Sequence, residues 1–301
     1  MRRLTPLLLV VTALLATACT NRAPAPLGTE RYAEEVFAST RTTYDVVYAS
    51  APDLVSGQPV DLVLDWTEPV LDTLAERPVI VWIHGGGFKG GDKSSLSPLA
   101  AAWAKRGYVT LSINYRVDPG NRCQELQDGE ITDPTELEQE TARCTAAIIA
   151  AQHDAQAAIR WVRANALLLR ADPTRVAVGG TSAGAVTAVN VAQRSDDPGT
   201  VGTDLAFDSS VAAALAASGC QYLPEDIDSS DAPVHHLASE FDAAVPFECT
   251  MQTEALALAA GVDAGSAYYY GEGTHALGLY NKYRSEVDPL WSAFLIQHLG
   301  L

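Results

Sequence analysis

The stretch RVAVGGTSAGAVTAVNVA, Arg175–Ala192, decides the fold. It opens as an apolar, partly β-branched run, passes through two glycines and closes in an Ala- and Val-rich segment of helical character. At its centre, Gly180-Thr181-Ser182-Ala183-Gly184 reads G-x-S-x-G. A serine hydroxyl is a poor nucleophile until a base takes its proton. A sharp strand-to-helix turn lifts Oγ above the sheet edge, where base and substrate can reach it, and packing there admits only small neighbours. The N-terminus of the following helix adds partial positive charge beneath a developing oxyanion. Ser182 is therefore the expected nucleophile.

Outward from this turn, strands alternate with helices from about residue 78 to the end. RPVIVWIH, YVTLSINYR, SSVAAALAASG, APVHHLASEFD and GSAYYYGEGTH read as strands, separated by Ala- and Leu-rich helical runs. Such alternation calls for a mainly parallel sheet, here of about eight strands, with helices on both faces. Two antiparallel strands, Tyr44–Ala49 and Val60–Pro69, precede it. Residues 117–144 are acidic, carry two cysteines and up to Arg143 show no clean period. They read as an insertion near the active-site face of a single domain spanning 44–301.

A second glycine cluster, VIVWIHGGGFKGG at Val79–Gly91, satisfies G-x-G-x-x-G literally. The dinucleotide fold also needs an acidic residue about 20 positions on, and Lys105–Thr110 holds none. A P-loop fails as well, because Asp92 follows Gly91. The cluster does not cradle a phosphate on this reading, and no cofactor is implied.

Taken together, HGGGF at His84–Phe88, NYR at Asn114–Arg116, AIRWVRANA at Ala158–Ala166 and the G-x-S-x-G turn make the chain resemble an α/β-hydrolase. More closely, it resembles the secreted carboxylesterases of the hormone-sensitive-lipase and feruloyl-esterase-like type, over about residues 44–301. The resemblance implies that the N–H groups of Gly86 and Gly87, with that of Ala183, form the oxyanion hole. It makes His84 a loop-shaping residue and implies a Ser, then acid, then His order along the chain. Asp242, in D-A-A-V-P, is the implied acid, with Glu240 as the alternative. His275, in YYYGEGTHALG, is the implied base. The pair Ala238-Ser239 departs from the His-Gly often found before the acid. A metal site from His235, His236 and Glu240 is disfavoured, since strand neighbours point to opposite faces. The implied function is a serine carboxylic-ester hydrolase acting on short-chain acyl esters. The alternatives are a polysaccharide deacetylase or feruloyl-type esterase and, from another class, a noncatalytic binding lipoprotein.

The 301 residues carry a formal net charge of −17, which repels nucleic acid and anionic membrane. Arg2, Arg3 and the apolar run Leu7–Ala16 form an export signal, too short for a membrane span. ATAC resembles a lipobox, so residues 1–18 are the expected signal peptide and Cys19 the expected lipidation site of a cell-surface lipoprotein, with a freely secreted protein as the alternative. Residues 19–43 would be the tether, and a lipid anchor the only membrane contact. Cys123, Cys144, Cys220 and Cys249 then remain, in an oxidising compartment. Of three possible pairings, Cys123–Cys144 with Cys220–Cys249 is favoured, the first closing a polar excursion.

Overall fold

The computed structural model describes residues 30–301. The expected signal peptide and Cys19 lie outside the described residues. In chain order the elements are β1 (Thr40–Pro52), β2 (Pro59–Pro69), β3 (Arg77–Ile83), α1 (Ser97–Ala104), β4 (Val109–Ile113), α2 (Cys123–Gln127), α3 (Pro134–Ala164) and α4 (Ala166–Leu169). There follow β5 (Ala171–Thr181), α5 (Ala183–Gln193), β6 (Ala213–Ala217), β7 (Val234–Ser239), α6 (Phe247–Ala259), β8 (Ala264–Tyr269), α7 (Ala276–Lys282) and α8 (Arg284–Leu299). The strands form one eight-stranded sheet in the order β1-β2-β4-β3-β5-β6-β7-β8. β1 pairs antiparallel with β2, and β2 with β4; every other pairing is parallel.

The parallel strands β3, β4 and β6 are short apolar runs buried on both faces, as the interior of such a sheet requires, whereas the edge strand β8 is half-buried. Alternate residues feed two separate cores. Val79, Val81 and Ile83 of β3 pack with α3 and α5, whereas Ile80 and Trp82 pack with α1 and α8. On the second face Trp82 stacks on Trp291 of α8 at 6.3 Å, with Trp103 of α1 at 6.0 Å. These layers hold the C-terminal ends of β3, β5, β7 and β8 in one row, where the loops carrying the polar residues emerge.

Two expected boundaries are corrected. The tether does not reach residue 43: Arg31 is buried and its guanidinium meets Asp72 at 2.6 Å, Phe37 is buried, and β1 already begins at Thr40. Nor is 117–143 irregular throughout, because α2 lies within it and α3 starts at Pro134. Asp133 caps α3 by accepting the N–H groups of Thr135 and Glu136, and Pro134 takes the first helical position. Residues Pro134–Gln139 are all exposed, so the first turns of this helix have no apolar stripe to reveal them. Both favoured disulfides, Cys123–Cys144 and Cys220–Cys249, are formed.

Candidate active site

Ser182 stands between β5 and α5 with φ 55° and ψ −125°, a conformation that costs a non-glycine residue about 1–3 kcal/mol. Its N–H donates to Ala217 O at 2.9 Å, and its carbonyl accepts from Ala185 N at 2.7 Å and Val186 N at 3.0 Å. The flanking glycines are a matter of space. A Cβ on Gly180 would lie 2.0 Å from Gly184 O, and one on Gly184 would lie 2.1 Å from Ile83 O. The turn therefore packs directly against the end of β3, from which the HGGGF loop departs.

His275 enters from the loop after β8. Its Nε2 lies 2.8 Å from Ser182 Oγ, and its Nδ1 lies 2.7 Å and 2.9 Å from the two carboxylate oxygens of Asp242. With the proton on Nδ1, donated to Asp242, Nε2 is free to accept from the serine hydroxyl. The Asp242 side chain is 2% exposed and that of His275 is 32% exposed, so the acid is sequestered while the base faces the cleft. Burial pushes the Asp242 carboxyl up, but hydrogen bonds from His275, Ser218 and the Ala244 N–H outweigh it and hold the group below its ordinary range. Asp242 is the carboxylate placed beside His275; Glu240 instead accepts the Gly271 N–H at 2.7 Å.

The base loop is braced at both ends by residues that local sequence pattern did not single out. Ser218 Oγ accepts the Ala276 N–H at 2.9 Å, and Ser239 donates to Thr274 O at 2.7 Å. The Glu272 carboxylate collects the Thr274 N–H and hydroxyl, the Tyr283 hydroxyl and Lys282. These donors hold it far below the usual carboxylate range. Only the acidic residue three positions before His275 was a visible signal for this cluster.

Facing Ser182, the loop Gly85–Phe88 presses against the turn: a Cβ on Gly85 would lie 2.9 Å from Ser182 Cβ. Gly86, Gly87 and Phe88 all have positive φ, at 129°, 61° and 58°. His84 is buried, stacks on Tyr115 at 4.5 Å and donates from Nδ1 to Gly85 O at 2.7 Å. Burial lowers its pKa more than that carbonyl raises it, so it is a neutral, loop-shaping residue. His235 and His236 do not join the site. Burial lowers them to about 4 and about 3, and His235 stands edge-on to Phe294 of α8.

Beside Ser182 and Ala183 opens a cleft of about 460 Å³. Leu126, Ile148, Val186, Val245 and Tyr222 contribute to its walls, and sulfur atoms of both disulfides belong to residues that line it. The acidic segment expected near the active-site face is there, with Gln124, Leu126 and Gln127 of α2 at the cleft.

Comparison with known proteins bears on this arrangement. The BD-FAE family model matches residues 65–127, and a model described as alpha/beta hydrolase fold matches residues 144–231. Carboxylesterase NlhH of Mycobacterium tuberculosis is 33% identical over 135 residues, covering 44% of this chain and 34% of that protein. A chlorogenic acid esterase of Aspergillus niger is 28% identical over 114 residues, covering 36% of this chain and 19% of that protein. The matched region thus spans about a third or less of the length of these curated relatives. In solved structures, Thermogutta terrifontis esterase 2 phosphorylated by paraoxon superposes with a TM-score of 0.66 at 22% identity, over 85% of this chain and 94% of that one. Its butyrate-bound form gives 0.65 at 20% identity over the same shares.

Proposed function

We propose that this chain, whose fold is that of the α/β-hydrolases, is a serine carboxylic-ester hydrolase that works through an acyl-enzyme. The observation that carries the reading is the unbroken relay from Asp242 through His275 to Ser182 Oγ, with links of 2.7 and 2.8 Å. His275 takes the hydroxyl proton as Ser182 attacks the ester carbonyl. The N–H groups of Gly86, Gly87 and Ala183 receive the oxyanion, the term that usually contributes most. Asp242 keeps the imidazole in its productive tautomer and stabilises the imidazolium. His275 then protonates the leaving alcohol, the tetrahedral species collapses, and the acyl group remains on Ser182. Water, deprotonated by the same His275, attacks the acyl-enzyme, and as the acid leaves His275 returns that proton to Ser182 Oγ.

An apolar-walled cleft of about 460 Å³ suits short acyl esters, and NlhH, 33% identical over 135 residues, is named a carboxylesterase. The resemblance to a chlorogenic acid esterase favours a second reading, in which a feruloyl-type ester is the substrate. Hydrolysis of p-nitrophenyl esters from acetate to palmitate, beside a Ser182→Ala variant, tests the assignment. Short esters cleaved only by the native chain support it. A native chain that neither hydrolyses any ester, feruloyl esters included, nor labels with a fluorophosphonate overturns it and leaves the binding-protein reading. Export and attachment of a lipid at Cys19 belong to the same proposal; the mass of the mature N-terminus in the producing cell tests them.

A further inference from the structure

Every carbonyl of the loop Gly85–Phe88 accepts a hydrogen bond. In a trans peptide the C=O and the next N–H point in opposite directions. Pinning a carbonyl on the outer side therefore aims the following N–H inward. Gly85 O is pinned by His84 Nδ1 at 2.7 Å, and Gly86 O by Lys89 N at 3.0 Å. Those two bonds fix the peptide planes that carry the Gly86 and Gly87 N–H groups.

The third carbonyl, that of Gly87, is served from another part of the chain. Asn121 is buried, and its Nδ2 donates to Gly87 O at 3.3 Å and to Asp118 O at 3.0 Å. Its Oδ1 accepts the Cys123 N–H at 3.2 Å. Next along the loop, Phe88 O accepts the Asp118 N–H at 2.8 Å. Gly87 and Phe88 are the two consecutive residues with φ near +60° in the turn closed by Lys89 N, and the left-handed Phe88 is uphill by about 1–2 kcal/mol. A strained two-residue turn keeps one geometry only if its surroundings over-determine it. Asn121 and Asp118 are those surroundings, and the segment that carries them is clipped to α3 by Cys123–Cys144 and by the Arg143–Asp118 ion pair. Beyond Cys123 the same segment crosses to the acid loop, where Gln127 Nε2 donates to Ala244 O at 3.0 Å.

We infer that Asn121 is a positioning residue for the oxyanion hole: it touches no reacting atom, and by holding the Gly87 carbonyl it fixes the left-handed Gly87–Phe88 turn on which the placement of the Gly86 and Gly87 N–H groups depends. The inference rests on the hydrolase reading. The decisive variant is Asn121→Asp, which keeps size and the acceptor for Cys123 N–H but replaces the donor to two carbonyls with a lone pair. Arg106→Ala is the control, since it breaks the Arg106–Asp288 ion pair beside α1 and α8 and touches neither the Gly85–Phe88 loop nor residues 118–123. With p-nitrophenyl butyrate, N121D should lose about tenfold or more in kcat with KM within about threefold, because the lost geometry serves the transition state, where a single donor can be worth more than this. R106A should lower the melting temperature at least as far and keep kcat within about twofold. Equal kcat in N121D and the native chain overturns the role. So does a fall in kcat that merely follows the melting temperature across both variants. A native chain inert toward every ester, by contrast, overturns the hydrolase reading itself and this role with it.

Discussion

Asp242 Oδ2 and His275 Nδ1 lie 2.7 Å apart although 33 residues separate them, and Asp242 Oδ1 also accepts the N–H groups of Ala244 and Val245 at 2.9 and 3.1 Å. The carboxylate is thus oriented by its own loop before it orients the imidazole. Asn at this position can keep the backbone bonds through its carbonyl oxygen but presents an amide to His275. The Asp242→Asn variant should therefore fold normally and lose about 10⁴-fold in kcat, through the wrong tautomer. Steady-state kinetics beside a thermal melt checks it; kcat within tenfold of native would remove Asp242 from the relay.

Glycines in the two loops should respond differently to alanine. A Cβ at Gly184 meets the Ile83 carbonyl at 2.1 Å, with backbone on both sides, whereas one at Gly87 meets nothing within 4 Å. Gly184→Ala should cost at least about 3 kcal/mol or prevent folding. Gly87→Ala should cost only about 1–2 kcal/mol, the penalty of a left-handed alanine. Denaturant midpoints of the two variants rank them, and a well-folded G184A would contradict the packing of the turn on β3.

Acid should destabilise the fold before the carboxylates titrate. His235 and His236 take up a proton at about 6.5 when unfolded but only at about 4 and about 3 in the folded chain, because burial opposes their charge. Between those values the unfolded chain binds more protons. Their contribution is complete above pH 6.5 and is lost as pH falls toward the folded values. Melting temperatures measured from about pH 7.5 down to about pH 5 should decline steadily, and less so in His236→Met. A flat native profile would mean that both rings titrate without penalty.

The disulfides close loops with separations of 21 and 29 residues. On the chain-entropy account each restrains the unfolded state by about 3–4 kcal/mol. A phosphine reductant should lower the melting temperature in steps attributable to each bridge. Cys220→Ser with Cys249→Ser should reproduce one of those steps. A melting temperature indifferent to reductant would show that neither bridge restrains the chain in solution.

Much of the site was legible because its chemistry is local. The turn at Ser182 needs a strand before it, a helix after it and glycines two residues either side, and all of these are contiguous. His275 and Asp242 sit in loops whose place follows from counting strands after that turn. What escaped has a common cause. Asn121 reaches Gly87 across 34 residues and Ser218 reaches Ala276 across 58, and no local pattern marks either polar side chain. The start of α3 was different: Asp133-Pro134 followed by Glu136 is a helix-start signal, overlooked because the exposed turns after it have no apolar period. Nothing near Arg31 in the sequence marks it as part of the domain, because its partner Asp72 lies 41 residues on.

The residues of the relay also appear in a fixed temporal order. Synthesis delivers the donor loop first, then Ser182, then Asp242, and His275 last, 93 residues behind the nucleophile. Trp291, which stacks on Trp82 and helps close the second core, comes later still. A nascent chain therefore carries a serine with no base, chemically as quiet as any other hydroxyl. On the hydrolase reading it becomes reactive only once nearly all of it has been made and docked.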